Sequence, residues 1–357
     1  MNAQRLGPYL LLKRLGIGGM AETWLAARQI STDVIKFVAL KCILSAYNNT
    51  PDYVRLFYRE ASISLSVDHP NIVNIWDCDV IEGHHVMVME FMEGVTLDAL
   101  LDRAPSHQLS PELASYIALE ILQGLSYLHT LQKRDGTPLH IVHRDINPQN
   151  IFIFYDGRCK LFDLGVARTD SNGNDIQQGM LVGKPAYMSP EQCYGNDVDA
   201  RSDLFSLATV LYEMSMGHSA FECDNDIKTL NAVMTRNPVS PSAHNINFPS
   251  FLSRIIMRGL EKDPNHRYAN ATAFIQDLAM FRKVTGNSGG QPILQGWMEA
   301  LFSAEISQSR AYLNQVSLEL SRSAPTIDEL IASSQTIDSF SNGEGSLQIT
   351  MSKLPTK

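Results

Sequence analysis

The segment at 143–150, HRDINPQN, sets an imidazole, a guanidinium, a carboxylate and carboxamides side by side on a loop punctuated by proline. Asp145 can orient an attacking hydroxyl and accept its proton, while Asn150 can offer a carboxamide oxygen to a divalent cation such as Mg²⁺, which demands hard oxygen ligands. At 160–165, KLFDLG adds Asp163, a second hard ligand, in a turn ended by Gly165. A His-Arg-Asp triplet alone is common by chance, so its meaning depends on what the rest of the chain supplies.

Upstream, LGIGGMAETWLA (15–26) places Gly16, Gly18 and Gly19 between two strand-like runs. Such glycines let backbone N–H groups approach phosphate oxygens, and a tight hairpin turn wants them equally. VALK (38–41) then puts Lys41 inside an apolar β-run. Two readings of that lysine stand open: an edge residue snorkelling to water, or a cation held by a carboxylate, for which Glu60 on the following helical segment is the natural candidate.

From Tyr9 to about Glu90, short β-rich runs (YLLLKRL, FVALKCIL, HHVMVMEF) surround one helix over roughly Pro51–Ser66, where Val54, Phe57, Tyr58, Ala61 and Leu65 recur at helical spacing. Beyond Ser110-Pro111-Glu112, a capped helix start, helices dominate: Ile117, Ile121, Leu125 and Leu128 share one face, and Arg201–Met216 and Phe251–Glu261 read as further helices. After a Gly-rich linker at 286–292, Leu294, Trp297, Met298, Leu301 and Phe302 form an apolar stripe. The stripe is expected to pack on the preceding lobe, with partner docking as its other use. Residues 321–357, about a third Ser or Thr, read as a disordered tail.

With 44% hydrophobic residues the chain is an ordinary folded protein, and a net charge of −9 argues against a nucleic-acid binder. Short basic clusters such as Lys133-Arg134 read as solvated surface. The five cysteines are scattered with no Cys-x-x-Cys pair, the pattern of reduced thiols in cytoplasm. With no cleavable leader and no run of eighteen apolar residues, the chain is expected to be neither secreted nor membrane-spanning.

The ordered set GIGGMAETW, VALK, REASISL, VMEFMEG, HRDINPQN, FDLG, GKPAYMSPE, RSDLFSLATVLYEM and LEKDPNHRY, between Tyr9 and Lys283, resembles the eukaryotic-type protein kinase family. GGMAE, SPEQ and YLHTLQKRDGTPLHIVHRD are similar to its bacterial Hanks-type Ser/Thr members. The resemblance implies an α+β, bilobal fold, with a small β-rich N-lobe (1–91) and a larger helical C-lobe (92–283), while the helical extension (284–320) and the tail (321–357) are read from the sequence pattern alone. It implies ATP and Mg²⁺ as cofactors, Ser/Thr hydroxyls of protein substrates as acceptors, autophosphorylation and a place in bacterial signalling.

Carried onto this sequence, the family implies that Leu15, Gly16, Gly18 and Ala21 cover the nucleotide and that Lys41, positioned by Glu60, contacts the α- and β-phosphates. Met89 would guard the back of the adenine pocket, with the backbone of Glu90 and Met92 bonding adenine. Asn150 and Asp163 would hold the metal, Asp145 would accept the hydroxyl proton, Glu191 would pair with Arg267, and Asp203 would steady the catalytic loop.

Some positions depart from the family pattern. Ala21, Thr23 and Leu164 stand for the third loop glycine, a valine and the DFG phenylalanine, all conservative in size or polarity. Asn147 stands where Ser/Thr members carry a lysine, and Lys184 where they carry a threonine. Lys184 is therefore a candidate to supply the γ-phosphate with the charge lost at Asn147, or else points to solvent. Thr169 and Ser171, early in the activation segment, are the hydroxyls there near Arg144, which can instead meet Asp175. Activity is expected without their phosphorylation. An alternative from another class is a catalytically impaired pseudokinase acting as a nucleotide-binding scaffold.

Overall fold

The computed structural model describes residues 4–31, 34–133, 135–164, 184–286 and 289–323. Gly165, Thr169, Ser171 and Asp175, Arg134, and the tail from 324 onward therefore lie outside the described residues.

Alternation over 34–43 organises the first lobe. In β4 (Val34–Ile43), Val38, Leu40 and Cys42 join one hydrophobic cluster while Ile43 joins another, so Lys41 shares the second face. The sheet is antiparallel, in the order β1-β2-β3-β4-β6-β5, with β1 at Arg5–Leu6, β2 at Tyr9–Ile17, β3 at Ala21–Ser31, β5 at Ile75–Ile81 and β6 at His84–Glu90. Lys41 sits opposite Thr23 of β3 and Met87 of β6. It is therefore in a strand paired on both sides, and the edge reading fails. Helix α1 (Pro51–Ser64) covers that face with Phe57 and Ala61, which pack with Ile43, Ile75 and Met87.

Two short pairings carry the catalytic-type segments. β7 (Gly94–Thr96), β8 (Ile151–Phe154) and β9 (Cys159–Leu161) form a small antiparallel sheet, with Ile151 opposite Leu161. That register brings Asn150, just before β8, beside Phe162, just after β9: the Phe162 N–H donates to the Asn150 carbonyl at 3.1 Å.

Helices build the second lobe: α2 (Leu97–Arg103), α3 (Pro111–Thr130), α4 (Pro190–Tyr194), α5 (Ala200–Met216), α6 (Asp226–Thr235), α7 (Pro241–His244), α8 (Ser250–Gly259) and α9 (Ala271–Val284). The Ser110 side chain caps α3 by accepting from the Leu113 N–H, as its sequence signature predicts. α3 and α5 are apolar on most sides and run through one large core with α8 and α9. The final helix, α10 (Gln291–Ser323), buries Leu294, Met298 and Phe302 in that same core, with Trp297 and Leu301 packed at its margin. The apolar stripe is thus occupied by the chain's own C-lobe. The architecture is the expected α+β, bilobal one.

Candidate active site

Lys41 leaves β4 on the α1 side and meets two carboxylates. Its Nζ donates to Glu60 Oε1 at 2.7 Å and to Asp163 Oδ1 at 2.9 Å. Lys41 and Glu60 side chains are 13% and 7% exposed, whereas Asp163 is 47% exposed, so the ammonium links a buried carboxylate to a solvent-facing one. Burial works against the lysine's charge, but Asp163 and then Glu60 outweigh it and hold the ammonium well above the ordinary lysine range. Burial also pushes the Glu60 carboxyl up, opposed by Lys41 beside it. Asp163 adopts a left-handed backbone, φ 54°, at the exit of β9, an uncommon conformation for a non-glycine residue.

A second constellation lies on the other side of that turn. Asn147 is 3% exposed and caps the 3₁₀ turn Pro148–Asn150, accepting from the Gln149 N–H at 2.9 Å. Its Nδ2 donates to the Asp145 carbonyl oxygen (3.1 Å) and to Asp145 Oδ1 (3.2 Å). Asn150 Nδ2 donates to the same carbonyl and to Asp145 Oδ2, both at 2.8 Å. Because a carboxylate only accepts, the amide nitrogens must face Asp145, which turns the Asn150 carboxamide oxygen away from it. Two carboxamides thus grip one carboxylate.

The loop carrying Asp145 hangs from buried Asp203 in the first turn of α5. Asp203 accepts from the His143 N–H and the Arg144 N–H, both at 2.8 Å, and contacts His129 Nε2 at 2.8 Å. Burial alone would raise its carboxyl, but the bond to His129, the charges of His129 and His143 and the backbone donor hold it below the ordinary range. Arg144 is left-handed at φ 67°, a conformation these two amide bonds help fix. The floor of the lobe is pinned by Glu191, which accepts from Arg267 Nη1 at 2.7 Å and Nη2 at 2.8 Å, and from the Ser202 hydroxyl. Burial would raise Glu191, but the bidentate Arg267 bonds and charge win and depress it.

The glycine hairpin lies beside Lys41, with Gly16 opposite Thr23 and Thr23 opposite Lys41. A Cβ at Gly16 or Gly19 would meet nothing within 4 Å, and none of Gly16, Gly18 and Gly19 has a positive φ. The hairpin itself therefore does not need these glycines, which argues against the bare-turn reading. Leu15, at the start of the glycine hairpin, is 46% exposed, and Ala21 is buried at the start of β3. On β6, Met89 pairs with Ala39 on the same face as Lys41. The Glu90 N–H is already used by the Asn74 carbonyl at 2.9 Å, leaving only its carbonyl as a hinge group for a ligand, and Met92 lies half-buried two residues on.

Lys184 is half-buried just before the 3₁₀ turn Pro185–Tyr187. Burial, helped by the nearby charges of Asp98 and Glu222, holds the Glu213 carboxyl above its ordinary value, opposed by its 2.6 Å bond from the Tyr187 hydroxyl and by the Lys184 charge. Leu164 is buried in the C-lobe core.

Sequence reasoning missed three supports. Glu90 accepts from buried Lys160 of β9 at 2.6 Å, tying the hinge to the strand that leads into Asp163. His129 sits under Asp203, and Gln192 donates to the Arg144 carbonyl at 3.0 Å. Only Gln192 had a readable signal, the capping box Ser189-x-x-Gln192.

Residues 9–278 match the family model described as the protein kinase domain. Tyrosine-protein kinase MasK of Myxococcus xanthus is 32% identical over 304 residues, 85% of this chain and 47% of that protein. Serine/threonine-protein kinase PrkC of Bacillus subtilis is 33% identical over 275 residues, 76% of this chain and 40% of that protein. Serine/threonine-protein kinase PknB of Mycobacterium tuberculosis is 32% identical over 277 residues, 76% of this chain and 42% of that protein. The chain spans less than half the length of these three relatives.

Proposed function

The chain belongs to the protein kinase domain family, and on that premise we propose that it transfers the γ-phosphoryl group of ATP to Ser/Thr hydroxyls of proteins, itself included, in bacterial signalling. The observation that carries this reading is the convergence of Lys41 and Asp163, in contact at 2.9 Å, with Asp145 and Asn150, in contact at 2.8 Å, across one β8–β9 register.

The residues fit a metal-bound triphosphate. Asn150 spends its amide hydrogens on Asp145, and its carboxamide oxygen takes no donor among the described residues. With Asp163, half-exposed, it offers a cation two hard oxygens, the kind of partial set that suits Mg²⁺ held jointly with phosphates. ATP with Mg²⁺, when bound, supplies the transferable phosphoryl group and neutralises its charge. Lys41 then holds phosphate oxygens with an ammonium that stays charged across the working pH range. Asp145, fixed by Asn147 and Asn150, orients the acceptor hydroxyl and takes its proton on a carboxylate oxygen. Gly16, Gly18 and Gly19, which carry no side chains, leave room over the phosphates, and the Glu90 carbonyl and Met92 serve adenine. Positioning and charge are what phosphoryl transfer chiefly asks of a protein.

A cytoplasmic setting fits the five free thiols. No helix among the described residues is long and apolar enough to cross a membrane. A partner docking through 294–320 would use the outer side of α10, since Leu294, Met298 and Phe302 are buried.

A tyrosine acceptor is the second reading, favoured by the relative named a tyrosine kinase, whose likeness covers 85% of this chain against 76% for the two Ser/Thr kinases. Incubation with γ-labelled ATP, Mg²⁺ and a generic basic protein, followed by phosphoamino-acid analysis, tests both. Phosphoserine and phosphothreonine are expected. Phosphotyrosine alone would replace the acceptor class, and bound ATP without any transfer would leave the scaffold reading.

A further inference from the structure

Helix α10 does more than cap the C-lobe. Its successive residues touch successive parts of the molecule in strict order. Gln291 Nε2 donates to the Asp156 carbonyl in the β8–β9 turn at 3.1 Å. Further along, Ser309 Oγ donates to Glu93 of the hinge segment at 3.3 Å, Tyr312 Oη donates to the Leu12 carbonyl of β2 at 3.4 Å, and Gln29 of β3 donates to the Leu320 carbonyl at 3.4 Å. Leu313 and Val316, on the stripe between these contacts, are 9% and 3% exposed, and α10 packs against β4. A helix of this length spans about 50 Å, enough to pass from one lobe over the hinge to the other.

The change of direction has a physical cause. At Phe302 the backbone leaves helical geometry (φ −127°, ψ 23°). The Leu301 carbonyl there accepts from Arg103 Nη1 at 3.0 Å, while the same guanidinium pairs with Glu305 and lies 4.4 Å over the Phe302 ring. Arg103 thus clamps the bend that sends α10 toward the N-lobe.

Between β6 and β7 the covalent hinge is only 91–93, a single link about which two lobes can rotate. The Lys41–Asp163 contact bridges the lobes, so the angle between them fixes where the ammonium stands relative to the metal-binding group. We propose that α10 is a splint across the hinge, in which Ser309, Tyr312 and Val316 are positioning residues that set the opening of the nucleotide cleft. The inference rests on the kinase reading above and extends it to a segment beyond residue 278, where the match to the family model ends.

The full chain is the test object. Val316→Asp charges the buried N-lobe contact, and Gln308→Pro, at an exposed position, breaks the helix before that contact without altering a buried side chain. KM for ATP is expected to rise about tenfold in either variant while kcat at saturating ATP stays within about threefold. Hydrogen exchange should quicken over 309–320 and over the hairpin 15–21 but not over 294–302. Arg310→Ala, on the exposed side, should change neither. Faster exchange over 309–320 with an unchanged KM for ATP, in whichever variant folds, overturns the splint alone. Failure of the wild type to bind Mg·ATP overturns the kinase reading and the splint with it.

Discussion

Asn147 grips Asp145 twice from one nitrogen, 3.1 Å from the carbonyl oxygen and 3.2 Å from Oδ1, while its own oxygen caps the 3₁₀ turn that ends at Asn150. What reads in the sequence as a missing cation is, in the structure, a buried brace between the two groups of the catalytic loop. Asn147→Asp keeps the shape and the capping oxygen but replaces the donor with an acceptor facing Asp145. We expect kcat to fall more than about tenfold with KM for ATP little changed; steady-state kinetics with unaltered kcat would remove Asn147 from the machinery.

Lys184 is the remaining candidate for the charge that the family's lysine supplies. Its ammonium acts on Glu213, which is bonded to Tyr187 at 2.6 Å. Lys184→Met is expected to lower kcat on the order of a hundredfold if the ammonium also faces transition-state charge. A loss confined to melting temperature, with kcat intact, would assign the lysine to Glu213 alone.

Removing Lys41 leaves Glu60 buried without its cation. Lys41→Met should destabilise the fold by about 3 kcal/mol, as breaking one half of a buried pair does. The double variant Lys41→Met, Glu60→Leu should recover most of that loss while remaining inactive. Urea unfolding of the single and double variants decides it: equal stability would mean that the 2.7 Å pair is energetically idle.

Glu191 gives the acid limb of stability a defined sign. Its carboxyl titrates lower in the fold than its ordinary value of 4.5, so the unfolded chain takes up the proton first on acidification. The stabilisation is complete above about pH 4.5 and is lost as pH falls through the depressed folded value. Glu191→Gln should flatten the stability profile in that window and cost most at neutral pH. Melting temperatures from pH 3 to pH 7 check it, and parallel profiles would contradict it.

Much of this site was legible because short-range patterns carry it. Alternation along 34–43 places Lys41 on one face, helical spacing brings Glu60 under that face, and the spacing of Asp145, Asn150 and Asp163 follows from a single hairpin register. The pairs that escaped the sequence are non-local or depend on loop geometry. Lys160 and Glu90 are separated by seventy positions and share no periodicity. The role of Asn147 depends on a turn whose capping is set by the fold around it. The bend at Phe302 is stabilised by Arg103, on a helix far away in the chain, and an uninterrupted apolar stripe gives no sign of it.

We propose that Lys41, Asp145, Asn150 and Asp163 work as one phosphotransfer centre. Single-turnover transfer from γ-labelled ATP, with nucleotide affinity measured alongside, tests it most directly in wild type and Asp145→Ala. Both should bind Mg·ATP with similar affinity, and the variant should lose transfer by about a hundredfold or more. Transfer that survives Asp145→Ala at the wild-type rate would contradict it.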